Sequence, residues 1–407
     1  MVPVAEQRAD LTFKHNLKRG RHGWLRLTPA YSVKVVRQIL ESHPEVTYVL
    51  DPFSGTGTTG LVCAEHGVRC DLIDINPFLV WFAGVKTSNY ERDHLRRAEE
   101  GSESICRDVG EDKRTGNLWF PLIYNVTRWW PEDRLVLLAK IYRELNRQFP
   151  DSSPTKGLLL VAFCHLVISW SNAAFNHQSM SFKESDGRQL GLFDETQQML
   201  LHFPETVRRI VASAEKPIRG HVEVIQADSR DLPQPREGLY DCVITSPPYP
   251  NRMSYIRELR PYMYWLGYLK EAREAGELDW QAIGGTWGIA TSRLGKWKPD
   301  GYKVQYTGFE NIVADIAIQS KLLANYVHKY FVDISVHLES LYRTLSQGAR
   351  VFYVVGNSRF YNTLVPVERI YACLLEEYGF VDTEIKLIRK RNSKKELYEF
   401  IVSARKP

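Results

Sequence analysis

The sequence lacks the cysteine spacing of a metal-binding or disulfide-bonded protein. Its six cysteines are scattered over 407 residues, and none belongs to a Cys-x-x-Cys pair. Cysteines of this kind are usually free thiols that pack as small hydrophobic groups in a reducing cytosol. We therefore expect neither disulfides nor a metal site.

Long apolar runs are also missing. No segment approaches the roughly 18 consecutive apolar residues of a membrane-spanning helix, and residues 1–23 have no apolar core of the kind found in signal peptides. The sequence therefore predicts a cytoplasmic protein with no membrane partner.

A strong charge of one sign is absent as well. The chain has 53 Lys and Arg against 48 Asp and Glu, a formal net charge of +5. Many soluble enzymes are mildly basic, so an excess this small does not indicate nucleic-acid binding; only the distribution of the charge is informative.

Two regions of the sequence alternate short apolar strands with helices. The predicted strands are TYVLDPF, RCDLIDIN, HVEVIQAD, DCVIT, ARVFYVVGN, VDTEIKLIRK and ELYEFIVSA. The main helices are predicted at 59–66, 77–85, 311–346 and 365–378. This alternation predicts an α/β fold with a doubly wound, mainly parallel seven-stranded sheet and an antiparallel terminal hairpin.

Two segments interrupt the alternation. Residues 86–220 are helix-rich, and residues 250–310 are rich in Tyr, Trp, Gly and Arg. We expect one domain of residues 1–85 and 221–407, with 86–220 as a helical insertion and 250–310 as a second insertion near the active site. Additions to such a sheet are where substrate recognition usually resides.

A glycine-rich bend, DPFSGTGTTG, follows the first strand. A bend that opens a helix lets the backbone approach a ligand closely, and Asp74 at the end of the next strand can accept hydrogen bonds from ribose hydroxyls. Dehydrogenases share these features. Asp51, just before the bend, favours a cationic ligand over a pyrophosphate.

A second bend, Ser-Pro-Pro-Tyr, follows the strand DCVIT. Two consecutive prolines cannot continue a strand ladder and fix a rigid extended turn. A rigid turn at the carboxyl end of a parallel strand is where a doubly wound fold places its chemistry. The candidate catalytic residues are Ser246, Pro247, Pro248 and Tyr249.

Together, D-P-F-x-G-x-G and S-P-P-Y resemble the motifs of the DNA amino-methyltransferases, the cytosine-N4 and adenine-N6 family. The resemblance implies a Rossmann-like methyltransferase sheet and S-adenosylmethionine as the cofactor, with Asp228 at the cofactor's adenine amino group. The cofactor-binding residues that it implies are Thr28, Asp51, Pro52, Phe53, Gly55, Gly57, Asp74 and Asp228, with Pro29 and Tyr31 as further candidates beside Thr28.

The resemblance also implies how the second bend works. The Ser246 hydroxyl and the Pro247 carbonyl would accept hydrogens from an exocyclic amino group, while Tyr249 stacks on a base flipped out of the duplex. The S-P-P-Y form is most often seen in cytosine-N4 enzymes, whereas D-P-P-Y is commoner in adenine-N6 enzymes. No Pro-Cys dipeptide occurs, which disfavours cytosine-C5 methylation because that chemistry needs a cysteine nucleophile.

The implied partner is double-stranded DNA, with the protein acting as a monomer or homodimer beside a cognate restriction endonuclease. Either insertion is a candidate for target recognition. Basic clusters near the proposed active edge are candidates for phosphate contacts. They are Arg252, Arg293 and Lys296; Arg389, Lys390, Arg391, Lys394 and Lys395; and, near the N-terminus, Lys14, Lys18, Arg19 and Arg21.

Three other interpretations remain. An RNA guanine-N2 methyltransferase is disfavoured by Ser246 in place of Asp or Asn, and by the lack of a recognisable N-terminal RNA-binding module. A non-catalytic nucleic-acid-binding protein with this fold is disfavoured by the intact motifs. A nicotinamide dehydrogenase would share the glycine bend but not the second bend.

Overall fold

The computed structural model describes residues 6–28, 30–112, 116, 118–174, 181–182, 192–391 and 396–407. Pro29, Lys394 and Lys395 lie outside these residues.

The strands are β1 (Tyr48–Asp51), β2 (Arg69–Asp74), β3 (Ala173–Ala174), β4 (Ser181–Phe182), β5 (Val222–Gln226), β6 (Tyr240–Thr245), β7 (Leu345–Gly356), β8 (Ser358–Phe360), β9 (Thr363–Val365), β10 (Val381–Lys390) and β11 (Tyr398–Arg405). The helices are α1 (Phe13–Asn16), α2 (Val33–Ser42), α3 (Thr58–Glu65), α4 (Pro77–Lys86), α5 (Arg92–Glu111), α6 (Val126–Trp129), α7 (Glu132–Gln148), α8 (Pro154–Ser169), α9 (Leu192–Ala214), α10 (Tyr255–Trp265), α11 (Ala272–Gln281), α12 (Ile289–Lys296), α13 (Phe309–Gln319), α14 (Lys321–Tyr342) and α15 (Val367–Glu377).

Seven strands form one sheet in the order β10-β11-β7-β6-β1-β2-β5. The pairings β7–β6, β6–β1, β1–β2 and β2–β5 are parallel, whereas β11 is antiparallel to both of its neighbours. The predicted α/β sheet with an antiparallel terminal hairpin is therefore confirmed.

Successive residues of the central strands point to opposite faces of the sheet, and both faces are buried. In β1, Val49 packs in one hydrophobic core with α2 and α3, while Leu50 packs in a second core with α14 and α15. In β6, Ile244 packs in the same core as Val49, and Val243 packs in the same core as Leu50. Burial on both faces explains why these strands are almost wholly apolar rather than alternating.

The prediction of one continuous helix over 311–346 is wrong. The chain forms α13 and α14, and between them Ser320 has an extended backbone (φ −159°, ψ 106°). The Ser320 hydroxyl accepts a hydrogen bond from the amide of Leu323 at 3.3 Å, which caps the second helix. The helix α14 ends at Tyr342 and the strand β7 begins at Leu345, so the last residues of the predicted helix are not helical.

The segment 86–220 contains α5 to α9, which form a third hydrophobic core. The helix α10, from the segment 250–310, packs in the same core through Ile256, Leu259 and Met263. The two proposed insertions therefore share a core. Within the described residues, no helix is long and apolar enough to cross a membrane.

Candidate active site

A cleft with about 970 Å³ of empty space, its open mouth included, lies at the carboxyl ends of β1, β2, β5 and β6. Its walls come from residues 27, 30–31, 52–56, 58, 74–76, 79, 227–229, 246, 248, 253, 255–256, 279 and 281–285. The glycine bend and the Ser-Pro-Pro-Tyr bend thus line the same cavity. Their strands, β1 and β6, are adjacent and parallel in the sheet, which places both bends at the same edge.

The glycine bend uses its glycines partly for packing. Gly55 and Gly57 have left-handed backbones, with φ of 51° and 71°. A Cβ at Gly60 would lie 2.6 Å from Leu72, so a glycine is needed there for α3 to pack on β2. Pro52, Phe53 and Gly55 line the cleft, whereas Gly57 is the N-cap residue directly before α3.

Ser54, also in the bend, is 5% exposed and lines the cleft. Within the described part of the chain, its hydroxyl has no hydrogen-bond partner. A buried hydroxyl without a partner is costly, so this group is available to a ligand.

Asp51 is buried beneath the bend. One carboxylate oxygen accepts a hydrogen bond from the Thr245 hydroxyl at 2.6 Å, and the other accepts one from the Thr59 hydroxyl, which also contacts the Tyr31 hydroxyl. Burial raises the pKa of Asp51 to about 6, although these hydrogen bonds oppose the shift. Asp51 therefore joins the glycine bend to the last residue before Ser246, and it is not among the residues that line the cleft.

Asp74 lines the cleft at the end of β2. Its carboxylate accepts hydrogen bonds from the amides of Gly55 at 2.9 Å and Asn76 at 2.8 Å. Burial raises the pKa of Asp74 to about 7, because the two amide donors compensate only part of the lost hydration.

Asp228 follows β5 and also lines the cleft. Its carboxylate is paired with Arg230 at 2.6 Å, and the same guanidinium reaches Asp333 at 3.1 Å. Burial tends to raise the pKa of Asp228, but the hydrogen bonds and charge of Arg230 hold it below its ordinary value. Asp228 is therefore an ionised acceptor that shares its oxygens with a neighbouring cation.

The N-terminal segment closes one side of the cleft through Leu27, Ala30 and Tyr31. The backbone amide and the hydroxyl of Thr28 both donate to one carboxylate oxygen of Glu258, at 3.0 and 2.8 Å. Glu258 lies in α10, which forms the opposite wall. Thr28 is thus hydrogen-bonded to α10 and connects the two walls of the cleft.

The Ser-Pro-Pro-Tyr bend is held by the sheet and by α14. The Ser246 hydroxyl donates to the carbonyl of Val354 in β7 at 3.1 Å, and the Tyr330 hydroxyl donates to the carbonyl of Pro248 at 2.7 Å. Pro247 is buried, while Ser246 and Pro248 line the cleft.

The side chain of Tyr249 lies against the terminal hairpin. Its hydroxyl donates to Glu399 at 2.9 Å, and the Arg391 guanidinium lies 5.2 Å from its ring centroid. Burial raises the pKa of Tyr249, so the hydroxyl remains protonated and can donate.

The structure divides the predicted DNA contacts into two groups. Arg252 and Lys296 are exposed and form no ion pair among the described residues, and Lys390 is half-buried and likewise forms no described pair. Arg293 pairs with Glu277 at 2.7 Å, and Arg389 pairs with Glu399 at 2.8 Å.

Arg21, in the N-terminal basic cluster, is not a solvated or phosphate-binding group. It is 5% exposed and donates to carbonyls, among them those of Ser88 at 2.5 Å and Ala214 at 2.7 Å. The prediction of a phosphate contact there is wrong, because the guanidinium satisfies backbone acceptors at helix ends.

Sequence reasoning missed several residues around the cleft. Arg230, Glu258, Tyr330 and Glu399 contact predicted site residues, but three of them lie 82 to 230 positions away from their partners. Lys86, which donates to the carbonyl of Thr56 at 2.8 Å, carries a usable signal, since it is the one charged residue of the apolar helix PFLVWFAGVK.

No protein-family model matches the chain. It is 22% identical over an alignment of 435 residues to the Type II methyltransferase M.BsoBI of Geobacillus stearothermophilus, covering 94% of this chain and 82% of that protein. M.AvaI of Anabaena variabilis is 24% identical over 409 residues, with 92% and 82% covered. M.MvaI of Kocuria varians is 20% identical over 373 residues, with 87% and 79% covered.

Among solved structures, the rRNA methyltransferase AviRa from Streptomyces viridochromogenes aligns over 96% of each chain at 11% identity, with a TM-score of 0.28 that is too low to support an inference. The chain is thus similar, over most of its length, to Type II methyltransferases.

Proposed function

We propose that the chain is an S-adenosylmethionine-dependent methyltransferase that modifies an exocyclic amino group of a base in duplex DNA, with N4 of cytosine as the favoured target. The observation that carries the proposal is that the glycine bend and the Ser-Pro-Pro-Tyr bend line one cleft. Similarity to Type II methyltransferases, which act on DNA in restriction–modification systems, supports DNA as the substrate.

The polar groups that line the cleft fit the chemistry of the cofactor. Asp74 offers a carboxylate to the ribose hydroxyls, Asp228 offers one to the adenine amino group, and Ser54 offers a hydroxyl that has no partner among the described residues. When bound, S-adenosylmethionine supplies an electrophilic methyl group.

The roles of the other cofactor-site residues follow from their contacts. Pro52, Phe53 and Gly55 provide the floor on which the cofactor lies, and Thr28 attaches the N-terminal wall to α10 through Glu258. Asp51 holds the two bends in register through Thr245, so its first task is positioning. Its direct contact with a cationic ligand stays a prediction.

In the reaction, the chain orients the target nitrogen. The Ser246 hydroxyl, while donating to the Val354 carbonyl, accepts a hydrogen from the exocyclic amino group through an oxygen lone pair, and the Pro247 carbonyl accepts a second hydrogen. Both contacts draw the nitrogen toward tetrahedral geometry and direct its lone pair at the methyl group. Tyr249 stacks on the base, and the rate comes from positioning rather than from a strong general base.

Tritiated methyl transfer tests the substrate. Label is expected in unmethylated duplex plasmid DNA and not in transfer RNA, and mass spectrometry of the nucleosides is expected to give N4-methylcytosine. N6-methyladenine would change the assigned base, whereas label in RNA alone would refute a DNA enzyme. S-adenosylmethionine, and not a nicotinamide dinucleotide, is expected to raise the melting temperature.

Variants of the second bend test its role. Ser246→Ala and Tyr249→Ala are expected to lower kcat by about 100-fold or more, because each removes a contact that orients the reacting base. Both should keep the melting-temperature shift given by S-adenosylmethionine. Ser292→Ala and Tyr361→Ala, at exposed positions, are matched controls. Wild-type turnover in both bend variants would contradict the assignment.

The biological setting follows from the relatives. A Type II methyltransferase protects DNA from a cognate restriction endonuclease, so the proposal includes such a partner and places the enzyme in the cytoplasm. Whether the chain acts as a monomer or a homodimer is decided by light scattering with and without DNA.

A further inference from the structure

Charged residues of the terminal hairpin surround Tyr249. Its hydroxyl donates to Glu399, which is 4% exposed and also accepts two hydrogen bonds from Arg389 at 2.8 and 3.1 Å. The Arg391 guanidinium lies over the ring, 5.2 Å from its centroid. The tyrosine is therefore held at its tip by a carboxylate and on one face by a cation.

The two contacts restrain different motions. The hydroxyl lies on the axis about which the ring rotates, so the bond to Glu399 fixes the end of the side chain but leaves the ring plane free. That last torsion is intrinsically broad. A base stacks only on a ring of the correct plane, and the face contact from Arg391 is the one of the two that sets it.

The guanidinium of Arg391 is itself held in place by backbone carbonyls. Its Nε donates to the carbonyl of Tyr398 at 3.2 Å, and its Nη2 donates to the carbonyl of Asn357. A Cβ at Gly356 would lie 2.7 Å from the guanidinium carbon, so the guanidinium fits there only because this residue is glycine. These contacts direct Arg391 to the tyrosine rather than to solvent.

We propose that Arg391 is a positioning residue that sets the ring plane of Tyr249 and leaves the opposite face for the flipped base. This inference rests on the proposed function. It replaces the phosphate contact that the sequence predicts for Arg391, and the two roles differ in what they change. Loss of a positioning contact lowers kcat, whereas loss of a phosphate contact weakens DNA binding and reduces its salt dependence.

The test uses two variants that disturb the contact differently. Arg391→Ala removes the cation, and Gly356→Ala displaces it while keeping its charge. Lys386→Ala, at an exposed position of β10, is the control for loss of a positive charge on the strand that leads to Arg391. Methyl transfer to unmethylated plasmid DNA, with tritiated S-adenosylmethionine, gives kcat and KM. Fluorescence anisotropy at several salt concentrations gives the salt dependence of binding to a mixed-sequence duplex.

Both variants are expected to lower kcat by about tenfold, the scale of a lost base–aromatic stack, with KM for DNA and the salt dependence unchanged. Arg391→Lys should restore part of kcat because it keeps a cation near the ring. An unchanged shift of melting temperature with S-adenosylmethionine would show that the fold and the cofactor site are intact. Wild-type kcat in Gly356→Ala and Arg391→Ala would overturn the inference, as would a reduced salt dependence with unchanged kcat. A wild-type enzyme that labels no DNA would instead refute the proposed function.

Discussion

One carboxylate in the cleft, that of Asp74, has an unusually high pKa. Asp74 is buried at the end of β2, and its pKa is raised to about 7 by that burial. A ligand that donates two hydroxyl hydrogens to this group needs the ionised form, since a protonated carboxyl has lost part of its acceptor capacity. With the role proposed for Asp74, cofactor binding requires deprotonation of a group that is about half protonated at neutral pH.

This titration predicts that affinity for S-adenosylmethionine rises with pH. For a single group with a pKa near 7, the ionised fraction rises about tenfold between pH 6 and pH 8, and so should the association constant. Calorimetry in two buffers of different ionisation enthalpy should also detect proton release on binding near pH 7. Asp74→Asn lacks this titrating group, so any pH dependence that remains comes from titration of the ligand itself. A pH dependence as large as that of the wild type in this variant would contradict the prediction.

At the scale of elements, the cleft depends on the contact between the N-terminal segment and α10. Thr28 donates twice to Glu258, which is buried, and burial raises the pKa of that carboxyl. Without Glu258, the Thr28 amide and hydroxyl lose their acceptor, and the wall formed by Leu27, Ala30 and Tyr31 loses this attachment to α10.

Glu258→Ala is therefore expected to weaken S-adenosylmethionine binding by about tenfold, the effect of one lost charge-assisted contact at the cleft wall. Hydrogen exchange of the amides at 27–31 should become faster, as measured by mass spectrometry. Glu376→Ala removes an exposed glutamate from α15 and should change neither quantity. Unaltered exchange at 27–31 in Glu258→Ala would show that the contact does not hold this wall.

An element could be predicted from the sequence where a local pattern of residues specifies it. The seven strands and the two bends are local patterns, and parallel order then brings the bends to one edge. The break at Ser320 has no glycine or proline to mark it and is fixed by a side-chain cap. The partners Glu258 and Glu399 are single glutamates whose roles arise only from tertiary contacts with Thr28 and Tyr249.

At the scale of the whole molecule, net charge says little about DNA binding because many cations are paired internally. Among those without a described ion pair, the exposed Arg252 lies just before α10 and Arg257 lies within this helix. Arg260 follows on the same helix, its guanidinium 5.3 Å from the Trp129 ring and 4.7 Å from the Trp287 ring. Because Trp129 belongs to α6, this surface joins both proposed insertions.

The salt dependence of DNA binding tests this surface. Each phosphate contact that is lost should reduce the slope of log K against log salt concentration by about 0.9. Arg252→Ala and Arg257→Ala are expected to do so on a mixed-sequence duplex, measured by anisotropy between about 50 and 200 mM salt. Arg293→Ala removes the same charge from an ion pair with Glu277 and should leave the slope unchanged, because that cation is already neutralised. A wild-type slope in all three variants would mean that DNA lies on another face. A slope reduced only in Arg293→Ala would place the DNA on α12.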